Sequence, residues 1–434
     1  MKGLTPKWRD EEDEKKEIQT IKKTKEGKRK HRREQRLTGE DLQKRLRNHF
    51  EKTHKTTNWA VIDLEKEDEK RNTKDEQKTV DFDITKRTKP IVVNTGELAK
   101  GTIDLSRLKD ANIQERTYKP VTSLQFHKNS ELLLVSGLDS RFRLFRVDGI
   151  SNEKLQTVHL PKYPIISCAF SGDTQVVCSG KRSWFFTYDL VSESIEKIPF
   201  ISGYEHSTLE RMIVSPDEKY LCFMTDSGNI LVVSNQTKKL IQTLKMNVDF
   251  ADQKNIYHGV SNGRAGASFF NDSRNLLTVG EGGFVYIWDI RNFSCIHKHS
   301  DMGTVVPSSI VGSSSSSYYA VGSNSGIVNL YDASTSVLSE SPAPVKSFMN
   351  LTTSITAMQF NPDSNILAIS SSLRNSQIRF VHIPSLSVFH NWPSQKSPVK
   401  MITSLAFSPH GGYFVCGSIK GRVLLYRVNH YEKA

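Results

Sequence analysis

Beyond residue 120 the chain alternates short apolar runs with polar turns, and the alternation repeats seven times. Each copy has an apolar run closing on Phe or Val, a polar turn, a second apolar run, a turn rich in Gly, Asp, Asn or Ser, and a third apolar run. The first runs are anchored by Phe126, Phe170, Val214, Phe270, Val311, Phe360 and Phe407. These anchors recur about every 47 residues, close to the roughly 40 to 45 of a four-stranded propeller blade. One third run ends Phe284-Val285-Tyr286-Ile287-Trp288-Asp289, with echoes at Tyr188-Asp189 and Tyr331-Asp332. Turns such as Asp226-Ser227-Gly228 and Asn324-Ser325-Gly326 supply the left-handed conformations that tight hairpins need. The pattern predicts an all-β fold, a seven-bladed WD-repeat β-propeller over residues 121–434.

Closing such a ring removes exposed strand edges, and one terminus commonly completes a blade formed by the other. A segment within residues 91–120, near Ile103 to Ile113, is expected to supply the outer strand beside Val423 to Val428. Residues 1–90 differ in composition, with 27 Lys plus Arg against 20 Asp plus Glu. Such a segment buries too little apolar surface to offset its chain entropy, so a largely disordered basic tail is predicted. Within it, Thr38 and Asp41 resemble a helix start, and Leu42, Leu46 and Phe50 recur at spacing four, predicting a short helix at about 40–54. Its narrow apolar stripe, extended by Trp59, predicts docking on a partner, the alternative being a transient helix of no consequence.

From Ile21 to Arg36, nine basic residues face only Glu26 and Glu34. The densest part, Lys28, Arg29, Lys30, Arg32 and Arg33, is the kind of segment a nuclear-import receptor or an RNA backbone binds. A solvated tail without a partner is the plainer reading. No apolar run approaches the 18 residues of a membrane span, and the charged start does not read as a signal peptide. Cys168, Cys178, Cys222, Cys295 and Cys416 show no C-x-x-C spacing and read as reduced core residues of a nuclear or cytosolic protein.

Catalytic patterns are missing. There is no G-x-x-x-x-G-K-[ST] or H-E-x-x-H, and Gly280-Glu281-Gly282-Gly283 lies between two strands, where it reads as a hairpin. His297 and His299 have no cysteine or carboxylate beside them at zinc-ligand spacing. Ser313 to Ser317 reads as a flexible loop. No enzyme, cofactor, metal, membrane or small-molecule substrate is expected, and a binding scaffold is. Trp288-Asp289-Ile290-Arg291 also matches the W-D-x-R pattern of propellers that serve as substrate receptors of cullin-type ubiquitin ligases, with Arg291 toward the adaptor.

Longer segments are more specific. Gly137-Leu138-Asp139, Leu144-Phe145-Arg146-Val147-Asp148-Gly149, Val321 to Tyr331, Met349 to Thr353, and Phe407 to Tyr431 resemble the small nucleolar RNA-associated protein 18 family. Arg45-Leu46-Arg47 through Phe50, His54 and Trp59-Ala60 is similar to that family's N-terminal element, departing at Thr57-Asn58. Val80-Asp81-Phe82-Asp83-Ile84 is a loose analogue of the motif by which some members recruit the helicase of the nuclear exosome. The resemblance implies a nuclear, nucleolar, non-enzymatic scaffold of the small-subunit processome. Its partners would be other propeller and helical-repeat proteins of the B subcomplex, with precursor ribosomal RNA and guide small nucleolar RNA in contact with the tail.

Overall fold

The computed structural model describes residues 17–26, 29–53, 98–129, 131–225, 227–246, 256–257, 260–261, 266–270, 273–280, 282–304, 306–394 and 399–431. The chain divides into two compact units, residues 1–92 and 93–434. The larger unit is a seven-bladed propeller, as the repeat predicts, and each blade is a four-stranded antiparallel sheet. Blade 1 runs from the centre outward as Val121–Phe126, Leu132–Gly137, Arg141–Arg146 and Glu153–His159. Blades 2 to 6 repeat this plan over residues 167–198, 211–245, 266–300, 307–348 and 357–388.

Each blade is covered by a neighbour on both faces, so its inner strands read as continuous apolar runs rather than as alternation. In blade 7, Ile402–Phe407 and Tyr413–Ser418 are buried at every position. The outer strands face solvent. Glu153–His159 buries only Val158. Between blades 6 and 7, Phe380 stacks on Trp392 with ring centroids 4.7 Å apart and meets Phe414 edge-on at 4.9 Å. Each such ring contributes about 1.5–3 kcal/mol by leaving water.

The C-terminal blade lacks an outer strand of its own. Strand β3 (Leu105–Arg107) fills that place, pairing Leu105 with Val428, Ser106 with Arg427 and Arg107 with Tyr426. The following residues continue along the same edge, Leu108 N–H donating to Leu425 O at 3.0 Å and Ala111 N–H to Val423 O at 2.9 Å. Asn112 and Thr117 then both donate to Gly421 O at 2.7 Å. Gly421 has φ +74°, and a Cβ there would collide with the Thr117 carbonyl.

The smaller unit holds the short helix expected of the tail. Strands β1 (Glu17–Glu26) and β2 (Arg29–Thr38) pair as an antiparallel hairpin that leads directly into helix α1 (Gly39–Thr53). Ile18, Thr20, Ile21 and Thr24 give β1 the β-branched residues that suit a strand, a local signal that net composition conceals. The ten-residue ladder pairs the backbones of the two strands. The serine run 313–317 is likewise an ordered turn: Ser313 N–H donates to Tyr318 O at 2.8 Å and Ser315 N–H to Ser364 Oγ at 3.0 Å.

Candidate interaction surfaces

Of the basic residues singled out in the sequence, Arg29, Lys30, Arg32 and Arg33 lie on β2, in register with Glu26, Lys25, Lys23 and Lys22 of β1. Three of these four register pairs join two basic residues. Lys28 lies outside the described residues, as does Trp59. On α1, Leu46 and Phe50 stand one turn apart and are 62% and 43% exposed. Leu42 sits one turn earlier on the same helix, so spacing four places all three on one stripe.

In the propeller, the recurring Asp at the end of third strands has a structural cause. Asp289 Oδ1 accepts from Arg291 N–H at 2.9 Å, Asp189 Oδ1 from Val191 N–H at 3.0 Å and Asp332 Oδ1 from Ser334 N–H at 3.1 Å. Each carboxylate caps the turn into the outer strand. Asp148 in blade 1 does the same for Ile150 N–H at 3.0 Å. Its carboxyl is held well below the ordinary range, first by the Ser151 hydroxyl and then by backbone N–H groups. Trp288 Nε1 donates to Thr278 Oγ1 at 2.9 Å, locking the third strand of blade 4 to the second. Arg291 is exposed on the turn that Asp289 caps.

Two buried polar networks were not anticipated. Arg143 is fully buried in blade 1, its Nε donating to Glu115 Oε1 at 2.8 Å and a terminal nitrogen to Asp139 Oδ2 at 2.7 Å. Burial raises the Glu115 pKa, but hydrogen bonds from Thr157, Arg143 and Lys154 outweigh it and hold the carboxyl at about 2. Their sequence trace is an arginine at an inward position of Arg141-Phe142-Arg143-Leu144-Phe145. At blades 4 and 5, Tyr331 OH donates to Asp301 Oδ1 at 2.6 Å and Asn329 Nδ2 to the same oxygen at 2.9 Å. His299 Nε2 lies 2.8 Å from Tyr319 OH, and burial pulls the His299 pKa down. His299 is thus a packed core residue, stacked on His297.

The inner strands enclose a central channel of about 290 Å³, lined by hydroxyl and apolar side chains together with Arg211. Desolvation there lowers the Arg211 pKa. Hydroxyls of the inner strands tie adjacent blades: Thr122 donates to Ile165 O at 2.9 Å, Ser123 to Cys168 O at 2.8 Å and Ser167 to Met212 O at 3.1 Å. Among the described residues, no three His, Cys, Asp or Glu side chains are grouped as metal ligands. No helix among them is long and apolar enough to cross a membrane. Four cysteines are buried, whereas Cys295 is exposed on the outer strand of blade 4, where the strand faces solvent. What the geometry offers is surface: two faces of loops, a helix stripe and a charged hairpin.

The WD domain, G-beta repeat family matches residues 113–146 and 388–427. The chain is 36% identical over 406 residues to the U3 small nucleolar RNA-associated protein 18 homolog of Arabidopsis thaliana, covering 92% of this chain and 71% of that one. Against the Mus musculus homolog it is 33% identical over 439 residues, covering 100% and 76% of the two chains. The Saccharomyces cerevisiae U3 small nucleolar RNA-associated protein 18 is 30% identical over 383 residues, 79% of this chain and 63% of its own. The likeness runs through tail and propeller alike, and the chain belongs to the U3 small nucleolar RNA-associated protein 18 family.

Proposed function

We propose that this protein is a non-enzymatic scaffold of the small-subunit processome, acting in the nucleolus in the precursor processing that yields 18S ribosomal RNA. The observation that carries the reading is the 33% identity that spans the whole chain, tail included, to a relative named for association with the U3 small nucleolar RNA. The geometry supports it. The propeller offers loop faces to protein partners, the α1 stripe of Leu42, Leu46 and Phe50, continued by Trp59, threads across a neighbouring subunit, and the basic window around Arg29 to Arg33 contacts RNA. Other propeller and helical-repeat proteins of the B subcomplex are the partners.

The test is depletion of the protein followed by probing of ribosomal RNA precursors, with recovery of U3 RNA on the tagged chain. Loss of 18S RNA with accumulation of uncleaved precursor, and U3 in the eluate, is the expected result. Normal processing, with ligase adaptors recovered in place of U3, overturns the reading and directs attention to Arg291.

A further inference from the structure

In antiparallel blades, every connection from an outer strand to the next inner strand lies on the same face as every turn between second and third strands. On this face the connections are tied to one another. Ser376 N–H donates to Val399 O at 2.7 Å, and Ile419 N–H to Met401 O at 3.2 Å. Thr117 Oγ1 reaches Gly421 O, Leu138 N–H donates to Pro120 O at 3.2 Å, Leu160 N–H to Ser140 O at 2.8 Å and Ile166 N–H to Ser179 O at 2.9 Å. A continuous rim thus runs over blades 6, 7, 1 and 2.

Arg374, Lys400, Lys420, Lys119, Lys162 and Arg182 follow one another along this rim, and all six are exposed. None of them is in an ion pair among the described residues. Glu115 and Asp139 on this side are engaged by Arg143 and Glu210 by Lys181, whereas Glu205 is exposed. On the opposite half of the face, segments 280–283, 301–306, 324–327 and 349–356 contain no Lys or Arg. Against these four segments the arc over blades 6, 7, 1 and 2 is rich in cations, and such a track attracts an extended polyanion.

In the middle of the arc stands Tyr118, 92% exposed. Lys119 follows it, and the Thr117 to Gly421 contact sets Lys420 opposite. A ring this exposed contributes nothing to the core. A flat aromatic surface between cations is what single-stranded nucleic acid requires: a charged track for the backbone and a platform for a base. An acidic peptide would use the cations but has no base to lay on the ring. We infer that this arc binds single-stranded RNA, its phosphates along the six cations and one base stacked on Tyr118. The inference rests on the proposed function and deepens it, since it adds an RNA track on the propeller to the contact assigned to the tail.

The experiment uses the purified full chain with Lys28→Gln, Arg29→Gln, Lys30→Gln, Arg32→Gln and Arg33→Gln, so that the tail contributes less to RNA binding. Binding of a fluorescein-labelled oligouridine of about 15 nucleotides, long enough for one such track, is followed by anisotropy at several salt concentrations. Tyr118→Ala is expected to weaken binding about tenfold and Tyr118→Phe to leave it unchanged. Combined Lys119→Glu, Lys400→Glu and Lys420→Glu is expected to abolish binding or to flatten the salt dependence by about two log units per log unit. Unchanged melting temperatures establish that each variant folds. RNA binding indifferent to both sets overturns the inference, as does loss of polyglutamate binding with RNA binding intact, which would make the arc an acidic-protein site. U3 recovery on the unsubstituted tagged chain separates the two claims. U3 recovered with an RNA-silent arc refutes only the arc, whereas arc-dependent oligouridine binding without U3 refutes only the proposed function.

Discussion

Arg143, with no solvent exposure, donates from Nε to Glu115 at 2.8 Å, and so joins the third strand of blade 1 to the segment that closes the ring. Replacing Glu115 by Leu leaves a buried guanidinium with Asp139 as its sole remaining carboxylate. Removing one member of a buried ion pair costs about 3 kcal/mol. Urea denaturation of Glu115→Leu should show this loss, and the double variant Glu115→Leu with Arg143→Met should recover part of it.

The same contact sets a pH dependence. Glu115 has a folded pKa of about 2 against an ordinary 4.5. The folded state therefore favours the ionised carboxyl. Its contribution is fully present above about pH 4.5 and is lost as pH falls toward 2. Melting temperatures measured between these limits should fall more steeply for the unsubstituted chain than for Glu115→Gln.

Gly421 is the other half of the seam. Its left-handed backbone, φ +74°, and the Thr117 carbonyl against its Cα leave no room for a side chain. Gly421→Ala should cost roughly 1–2 kcal/mol for the backbone alone, and more for the displaced carbonyl. Hydrogen exchange should show the loosening first in residues 105–119. A melting temperature equal to that of the unsubstituted chain would count against the described contact.

The proposed docking of the α1 stripe can be tested apart from folding. Leu46 and Phe50 are exposed, so Leu46→Ser with Phe50→Ser should change propeller stability by less than about 0.5 kcal/mol. Adding Trp59→Ala should release the protein from pre-ribosomal particles in a sucrose gradient. Undiminished co-sedimentation of the triple variant would remove the helix from the set of docking elements.

The ring was legible because strands covered on both faces must be apolar at nearly every position. Phe126, Phe170, Phe360 and Phe407 therefore announced their blades at regular intervals. Outer strands such as Glu153–His159 meet solvent, carry little pattern, and could be inferred only from the need for a fourth strand. The β1 and β2 hairpin was hidden because net charge says nothing about pairing between two charged runs. The cationic arc was hidden for another reason. Lys119 and Lys420 are 301 positions apart in the chain, and each is an unremarkable turn residue until the closed ring joins their neighbours Thr117 and Gly421.

The seam also imposes an order on synthesis. Strand β3 emerges from the ribosome early, but its partner Val423–Val428 is made more than three hundred residues later. Throughout that interval β3 has no ladder to join, and the blades that form first stand as an open arc with two unsatisfied ends. Ring closure is thus a late event of high contact order. Until Val428 is free, the strand edges at the two ends of the open arc stay available to other strands.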